Sequence, residues 1–287
     1  MTDQTMRAVG APQFSIGNVL GKSFAVFTGN LLKFCAVPAI LLVPFAIVGF
    51  LVGLRGIMNT VALMQAGQMP GGGFYLTLTA LFLLTIIWSC LASAILVSGA
   101  FQALRTRTIH LGSAFKRGFA SLIPIVMTAI VLGLLITVVA IVCLIPGGII
   151  AAVIGAATSP TAMIPLLLVC MVPVFFLWAA FWLFTPAIVV EGKGIGSSLG
   201  RSRELTKGHR WAVFAVVLIL LVLNWAIGLV NQYVIAPSLS AVVSGIFSIV
   251  VLIVWQAYNA IAITVTYYLL RADKEGISID EIAKVFD

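Results

Sequence analysis

Charge is what this sequence has least of. Only 8% of its 287 residues are Asp, Glu, Lys or Arg, and only two are His, whereas a soluble domain carries about 25% charged residues. Sixteen basic and eight acidic side chains cannot give a 30.4 kDa chain a hydrated skin. That excludes ordinary cytosolic enzymes, disordered regulators and, despite a pI of about 9.6, nucleic-acid modules. Cysteine is scarce too. Cys35, Cys90, Cys143 and Cys170 show no CxxC spacing, so they read as packing residues rather than a disulfide framework or a metal site. The first thirty residues lack a basic-then-apolar leader with a small-residue cleavage site, and no secretory signal is expected.

Apolar residues fill the space that charge leaves. They make up 62% of the chain, with a mean hydropathy of +1.22. A membrane-crossing helix needs about 20 mostly apolar residues, and six windows qualify: roughly 31–54, 74–101, 119–145, 161–190, 211–235 and 239–270. The fold class is therefore an all-α integral membrane protein with six transmembrane helices. Residues 1–270 form the membrane domain and 271–287 a short tail. The apolar stretch 146–160, bracketed by Pro146 and Pro160, is too short to cross and reads as a loop or shallow re-entrant turn.

Basic residues set the expected direction. With six spans, one side collects Arg7, Lys22, Lys33, Arg105, Arg107, Lys116, Arg117, Lys193, Arg201, Arg203, Lys207, Arg210, Arg271, Lys274 and Lys284, and the other holds Arg55. Both termini should be cytoplasmic, and all eight acids fall on that same side.

A short pattern recurs ahead of each odd-numbered span. Gly17 to Phe24, Gly112 to Phe119 and Gly196 to Arg203 align without gaps as Gly, Asn/Ser, any, Leu/Phe, any, Lys/Arg, Ser/Gly. This suggests three pseudo-repeated units of about 14–101, 109–190 and 194–270, each a basic amphipathic segment followed by a helical hairpin. In the first copy Ile16, Val19, Leu20, Phe24 and Phe27 share a helical stripe; in the second, Leu111, Phe115, Phe119 and Leu122 do so. In the third, Ile195, Leu199 and Leu205 face one way, while Arg201, Arg203, Glu204 and Lys207 lie elsewhere. Such segments would rest in the headgroup plane with Lys and Arg toward anionic lipid, at about 1 kcal/mol per basic residue. Lys22, Lys116, Arg117, Arg201, Arg203, Lys207 and Arg210 are thus candidates for contact with lipid headgroups or a partner. Simple orientation of the chain is the alternative role.

The stretch from Thr185-Pro186 through Glu191 and Gly196 to Arg201-Ser202-Arg203-Glu204-Leu205-Thr206-Lys207-Gly208 resembles the signature of a bacterial inner-membrane family. That family includes the membrane domain of some glycerophosphodiester phosphodiesterases and YciC-like proteins. The opening Phe14 to Phe24 is similar to that family's usual start. The resemblance implies a six-helix inner-membrane protein with no established activity. Arg203 departs from it, because an aromatic often follows the Arg-Ser pair.

Catalytic chemistry finds no foothold. No Asp, Glu or His lies within the six windows except at their cytoplasmic margins, which disfavours proton relays and carboxylate-held metals. His110 and His209 stand in separate basic loops with no nucleophile beside them. The run Gly192 to Gly200 lacks the order of a phosphate loop and follows a span rather than a strand. No enzyme, cofactor or metal is expected. Within the spans, Asn224, Asn231, Gln232, Gln256, Tyr258 and Asn259 are the polar residues of note. Asn224, Gln256 and Asn259 would either bond neighbouring helices, the fifth and sixth spans in particular, or line a solute path. Ser240, Ser244 and Ser248, Gly49 and Gly53, and Ser89 and Ser93 form small-residue ladders for close packing. Pro38, Pro44, Pro124, Pro165 and Pro173 should kink their helices. In the tail, Ser278 and Glu281 resemble a capping box.

The leading functional expectation is a non-enzymatic protein of envelope organisation or homeostasis, engaging anionic lipids or a membrane-protein partner at the cytoplasmic face. The rivals are a transporter or channel for a neutral or amphipathic solute such as lipid, and a membrane subunit of a separately encoded phosphodiesterase-type enzyme.

Overall fold

The computed structural model describes residues 14–65, 71–106, 108–157 and 163–275. Arg7, Arg107, the end of the 146–160 stretch and the tail with its Ser278–Glu281 capping box lie outside the described residues. The fold is helical throughout what is described. The helices are α1 (Ile16–Gly29), α2 (Leu31–Gln65), α3 (Gly72–Thr106), α4 (Leu111–Ala157), α5 (Met163–Phe181), α6 (Phe184–Glu191), α7 (Ile195–Thr206) and α8 (Arg210–Val230). A π-helical turn (Asn231–Ile235) and the short α9 (Ala236–Ser238) lead into α10 (Ala241–Glu275). Six helices are long and apolar enough to cross a membrane. They satisfy their backbone groups internally, as hydrocarbon requires.

Residues 146–157 do not form a loop. They prolong α4, with Pro146 inside the helix. Pro removes one N–H bond but does not stop this helix, in which Ile149, Ile150 and Val153 are exposed apolar residues suited to lipid.

The three basic amphipathic segments also differ from one another. α1 is capped by Ser15, whose Oγ accepts from Asn18 N at 3.2 Å, and only Asn30 separates it from α2. The second segment is simply the first turns of α4. The third, α7, stands alone: Gly192, in a left-handed conformation at φ 66°, ends α6, and Gly208 at φ 91° turns the chain into α8. A side chain would strain the backbone at either position.

The apolar stripe of α1 is covered by protein rather than by headgroups. Val19, Ser23 and Phe27 are buried as α1 packs on α10 and α8, and Phe27 meets Tyr258 edge-on at 5.9 Å. Phe24, from the same stripe, faces outward.

Burial is strongly polarised along the bundle. At one end α3 from Trp88 to Ala103, α6, and α10 from Ala257 to Ala272 form a close core. Gly118 of α4 lies so near α3 that a Cβ there would meet Ile95 Cγ1 at 2.3 Å. Buried hydroxyls in this core, Ser23, Thr264 and Thr266, each donate to a carbonyl four residues back. Among the described residues of the opposite halves, only Gly56 and Gly147 are fully covered. Each marks a close approach, Gly56 to Thr77 and Gly147 to Cys170. These contacts hold α2 to α3 and α4 to α5. The third hairpin is different: α8 and α10 touch little, and α10 packs on α3 and α1 instead.

Candidate functional site

The packed end carries an ion-pair network that ties α6, α7 and α10 together. It begins with a helix break. Pro186 cannot donate to the preceding turn and its ring crowds that turn's carbonyl, and here, unlike at Pro146, the chain interrupts itself at Trp182–Leu183 between α5 and α6. The groups freed by the break are then taken up by α7. Ser202 Oγ accepts from Leu183 N at 3.2 Å and donates to Ala180 O at 3.0 Å. Thr206 Oγ1 bonds Ser202 O at 2.9 Å on the same buried face.

With α7 docked there, Arg201 points at the last residue of α6. Its Nε donates to Glu191 at 3.0 Å, and its other arms reach Glu275 of α10 and, at 3.5 Å, Glu204. Glu275 also accepts from Arg271 Nε at 2.7 Å. Glu191 further accepts from the Tyr267 hydroxyl and forms an ion pair with Lys193 at 3.5 Å. Lys274 donates to the Glu204 carbonyl, and His209 Nε2 lies 3.0 Å from Asp273. The side chains of Arg201, Glu191 and Arg271 are 13%, 12% and 14% exposed. Burial works against the Arg201 charge, but hydrogen bonds to Glu275 and Glu191 outweigh it and hold its pKa above the ordinary value. A guanidinium is suited to this place because its planar fork serves several carboxylates at once.

Arg201 is thus committed to protein carboxylates, not to headgroups as its place in the amphipathic pattern suggests. The pattern cannot distinguish it from Arg203, two positions on, which is exposed. Lys116, Arg117 and Lys207 are exposed as well, while Lys22 and Arg210 are half-buried. All four described acids, Glu191, Glu204, Asp273 and Glu275, have basic partners within the protein. Among the described residues, Lys22, Lys33, Lys116, Arg203 and Lys207 have no carboxylate partner. Among the described residues, the exposed charged side chains of the rim are therefore mostly basic, with Glu204 and Asp273 the exposed acids. Between α4 and α6, beside Glu191, a hollow of about 410 Å³ has Arg117, Ser121 and Lys193 on its walls.

The intramembrane candidates part company. Gln256 does not bond the fifth span; its Nε2 donates across to α3, to Ser93 Oγ at 3.1 Å and Ser89 O at 3.4 Å. The Ser89–Ser93 ladder is thus its docking strip. Asn224 and Asn259 instead line a cavity of about 140 Å³ with Trp178, Trp182 and Trp255. The carboxylates of the network, Glu191 and Glu275, stand in the sequence only as marginal acids. Their position at a hydrophobic-to-polar boundary is the one signal that marks them.

A family model described as a domain of unknown function, DUF7847, matches residues 24–272. The chain belongs to that family. The match covers the membrane helices up to Ala272 and includes Glu191, Arg201 and Arg271 of the network, but leaves out the first turns of α1 and the last residues of α10, Glu275 among them. It brings no link to glycerophosphodiester phosphodiesterases or YciC-like proteins. No curated protein and no solved structure matches the chain.

Proposed function

We propose that this family member is a non-enzymatic membrane protein that binds anionic lipid at its basic rim and so serves envelope organisation. The observation that carries this reading is the internal use of acid. Because Glu191, Glu204, Asp273 and Glu275 have partners within the protein, Lys116, Arg203 and Lys207 face outward with no carboxylate partner among the described residues, and the hollow beside Arg117 and Lys193 suits a phosphate-bearing headgroup. The positive bias of these loops supports a reading in which the rim and both termini face the cytoplasm of a bacterial cell. A through-channel is less favoured, because Ile261, Val265 and Leu269, with no exposed surface, fill the packed end.

The test is native mass spectrometry of the protein released from bilayers containing phosphatidylglycerol and phosphatidylethanolamine. Charge reversal at Lys116, Arg203 and Lys207 should lower retention of phosphatidylglycerol about tenfold or more, at about 1 kcal/mol per basic residue. Equal retention by wild type and variant would overturn the reading.

A further inference from the structure

The open third hairpin holds a second site, at mid-depth in the membrane and far from the basic rim. About 21 Å of helix separates Asn224 from Arg210, and about 18 Å separates Asn259 from Arg271, at ~1.5 Å per residue. In a hydrocarbon layer about 30 Å thick, both amides therefore sit near the middle. Both line the half-open hollow of about 140 Å³ beside Trp178, Trp182 and Trp255, Asn259 half-buried and Asn224 exposed. Neither side chain has a hydrogen bond to another described residue, unlike Gln256 one turn away, which is bonded to α3. An unpaired amide in hydrocarbon is costly, and lipid tails cannot relieve it.

The cavity does not end there. A hollow of about 350 Å³ shares Asn224 and Trp255 with it and runs along α8 and α10 past Gly228, Val251 and Leu252 to Asn231 and Ser248. It exists because α8 and α10 diverge. At its far end Asn231 Nδ2 donates to Ser248 Oγ at 2.9 Å, while Asn231 Oδ1 is buried without a partner. No ionisable side chain lines either part.

We infer that the α8–α10 groove binds an uncharged amphipath, its small oxygen-bearing head hydrogen-bonded by Asn224 and Asn259 among the tryptophans and its alkyl or prenyl tail lying along the groove. The absence of a charged lining excludes a phosphate head at this depth. The two amides call for a carbonyl or hydroxyl that they can pair with, and the indole faces favour a flat or apolar body beside it. A bare acyl chain would fill the volume but leave both amides unpaired. The site stands independently of lipid binding at the rim, since the two share no residue.

Two probes share this chemistry: decylubiquinone, with ring carbonyls, and dioleoylglycerol, with a hydroxyl and ester carbonyls. Each is titrated into the full-length protein in nanodiscs of uncharged lipid, with indole fluorescence and native mass spectrometry as readouts. Saturable one-to-one binding of at least one probe is expected, and which of them binds identifies the source. Asn224→Leu with Asn259→Leu should weaken it about tenfold, the size of one or two lost hydrogen bonds. Because those amides have no partner among the described residues, the double variant should unfold no earlier than wild type. Trp211→Phe, outside the groove, should leave binding unchanged. Absence of saturable binding by either probe, or equal binding by the double variant, would overturn the inference; so would water alone in the cavity after probe saturation. Phosphatidylglycerol retention at the rim should be the same in wild type and the Asn variant, which separates failure here from failure there.

Discussion

The two ends of this bundle are built on different principles. At the basic end, α3, α6, α7 and α10 bury large side chains and tie them with hydrogen bonds and ion pairs. At the other, Leu134, Val138, Val142, Ile149 and Val153 of α4 and Val242, Ile246 and Val250 of α10 turn outward, and glycine contacts draw helices close. The contrast follows from the solvent. Lipid tails are as apolar as Leu, so apolar contact alone does not hold membrane helices together. Specificity must come from polar groups and close packing, and this chain concentrates both where its helices leave the hydrocarbon.

Substitutions should fall on the two ends very unequally. The largest effect is expected for Arg201→Ala, which leaves Glu191 and Glu275 with Arg271, 4.0 Å and 2.7 Å away, as their one shared guanidinium. A loss of about 3–5 kcal/mol is typical when one member of a buried ion pair is removed, read as a fall in the thermal midpoint of the detergent-solubilised protein. Arg201→Lys should recover only part, because one ammonium cannot span both carboxylates. Wild-type stability in Arg201→Ala would mean that the network decorates the fold rather than holding it.

Next comes Ser202→Ala. It orphans the Leu183 N–H at the helix break and leaves the Ala180 carbonyl only the longer bond from Thr206 Oγ1 at 3.4 Å, and about 1–3 kcal/mol is the usual consequence of an unsatisfied buried group. Hydrogen exchange should report it locally, as faster exchange of the Leu183 amide. The smallest change is expected for Val142→Ala in the outer half of α4, where the side chain is 66% exposed and the effect should stay within about 0.5 kcal/mol. A large loss there would show that the outer face is covered by a partner, and that the two ends are held together by more similar means than their packing suggests.

The signature stretch shows how far a sequence pattern carries. Pro186, Glu191, Arg201 and Ser202 stand out by spacing, and each has a structural role. Pro186 breaks the helix, Ser202 repairs the break, and Arg201 clamps onto Glu191. These roles depend on α10, whose Tyr267 and Glu275 lie more than seventy positions from Glu191 and Arg201 respectively, and no local pattern announces such a partner. Gln256 illustrates the same limit. Its polarity marks it as a helix-bonding residue, but its partner is α3 rather than the neighbouring span. The re-entrant reading of 146–160 fails for 146–157 because proline and glycine signals calibrated in water are weaker in hydrocarbon, where an unwound backbone has nothing else to bond.

The helical class and the six spans were decided by the sequence alone. Hydropathy adds up residue by residue over about 20 positions, and a chain in lipid must close its hydrogen bonds within each segment. Tertiary structure decided which cations stay free, which amide pairs with α3 and which two are left facing a cavity. Those outcomes turn on the phase and divergence of helices far apart in the chain, where a shift of one residue on an α-helix rotates a side chain by about 100° and changes its neighbour.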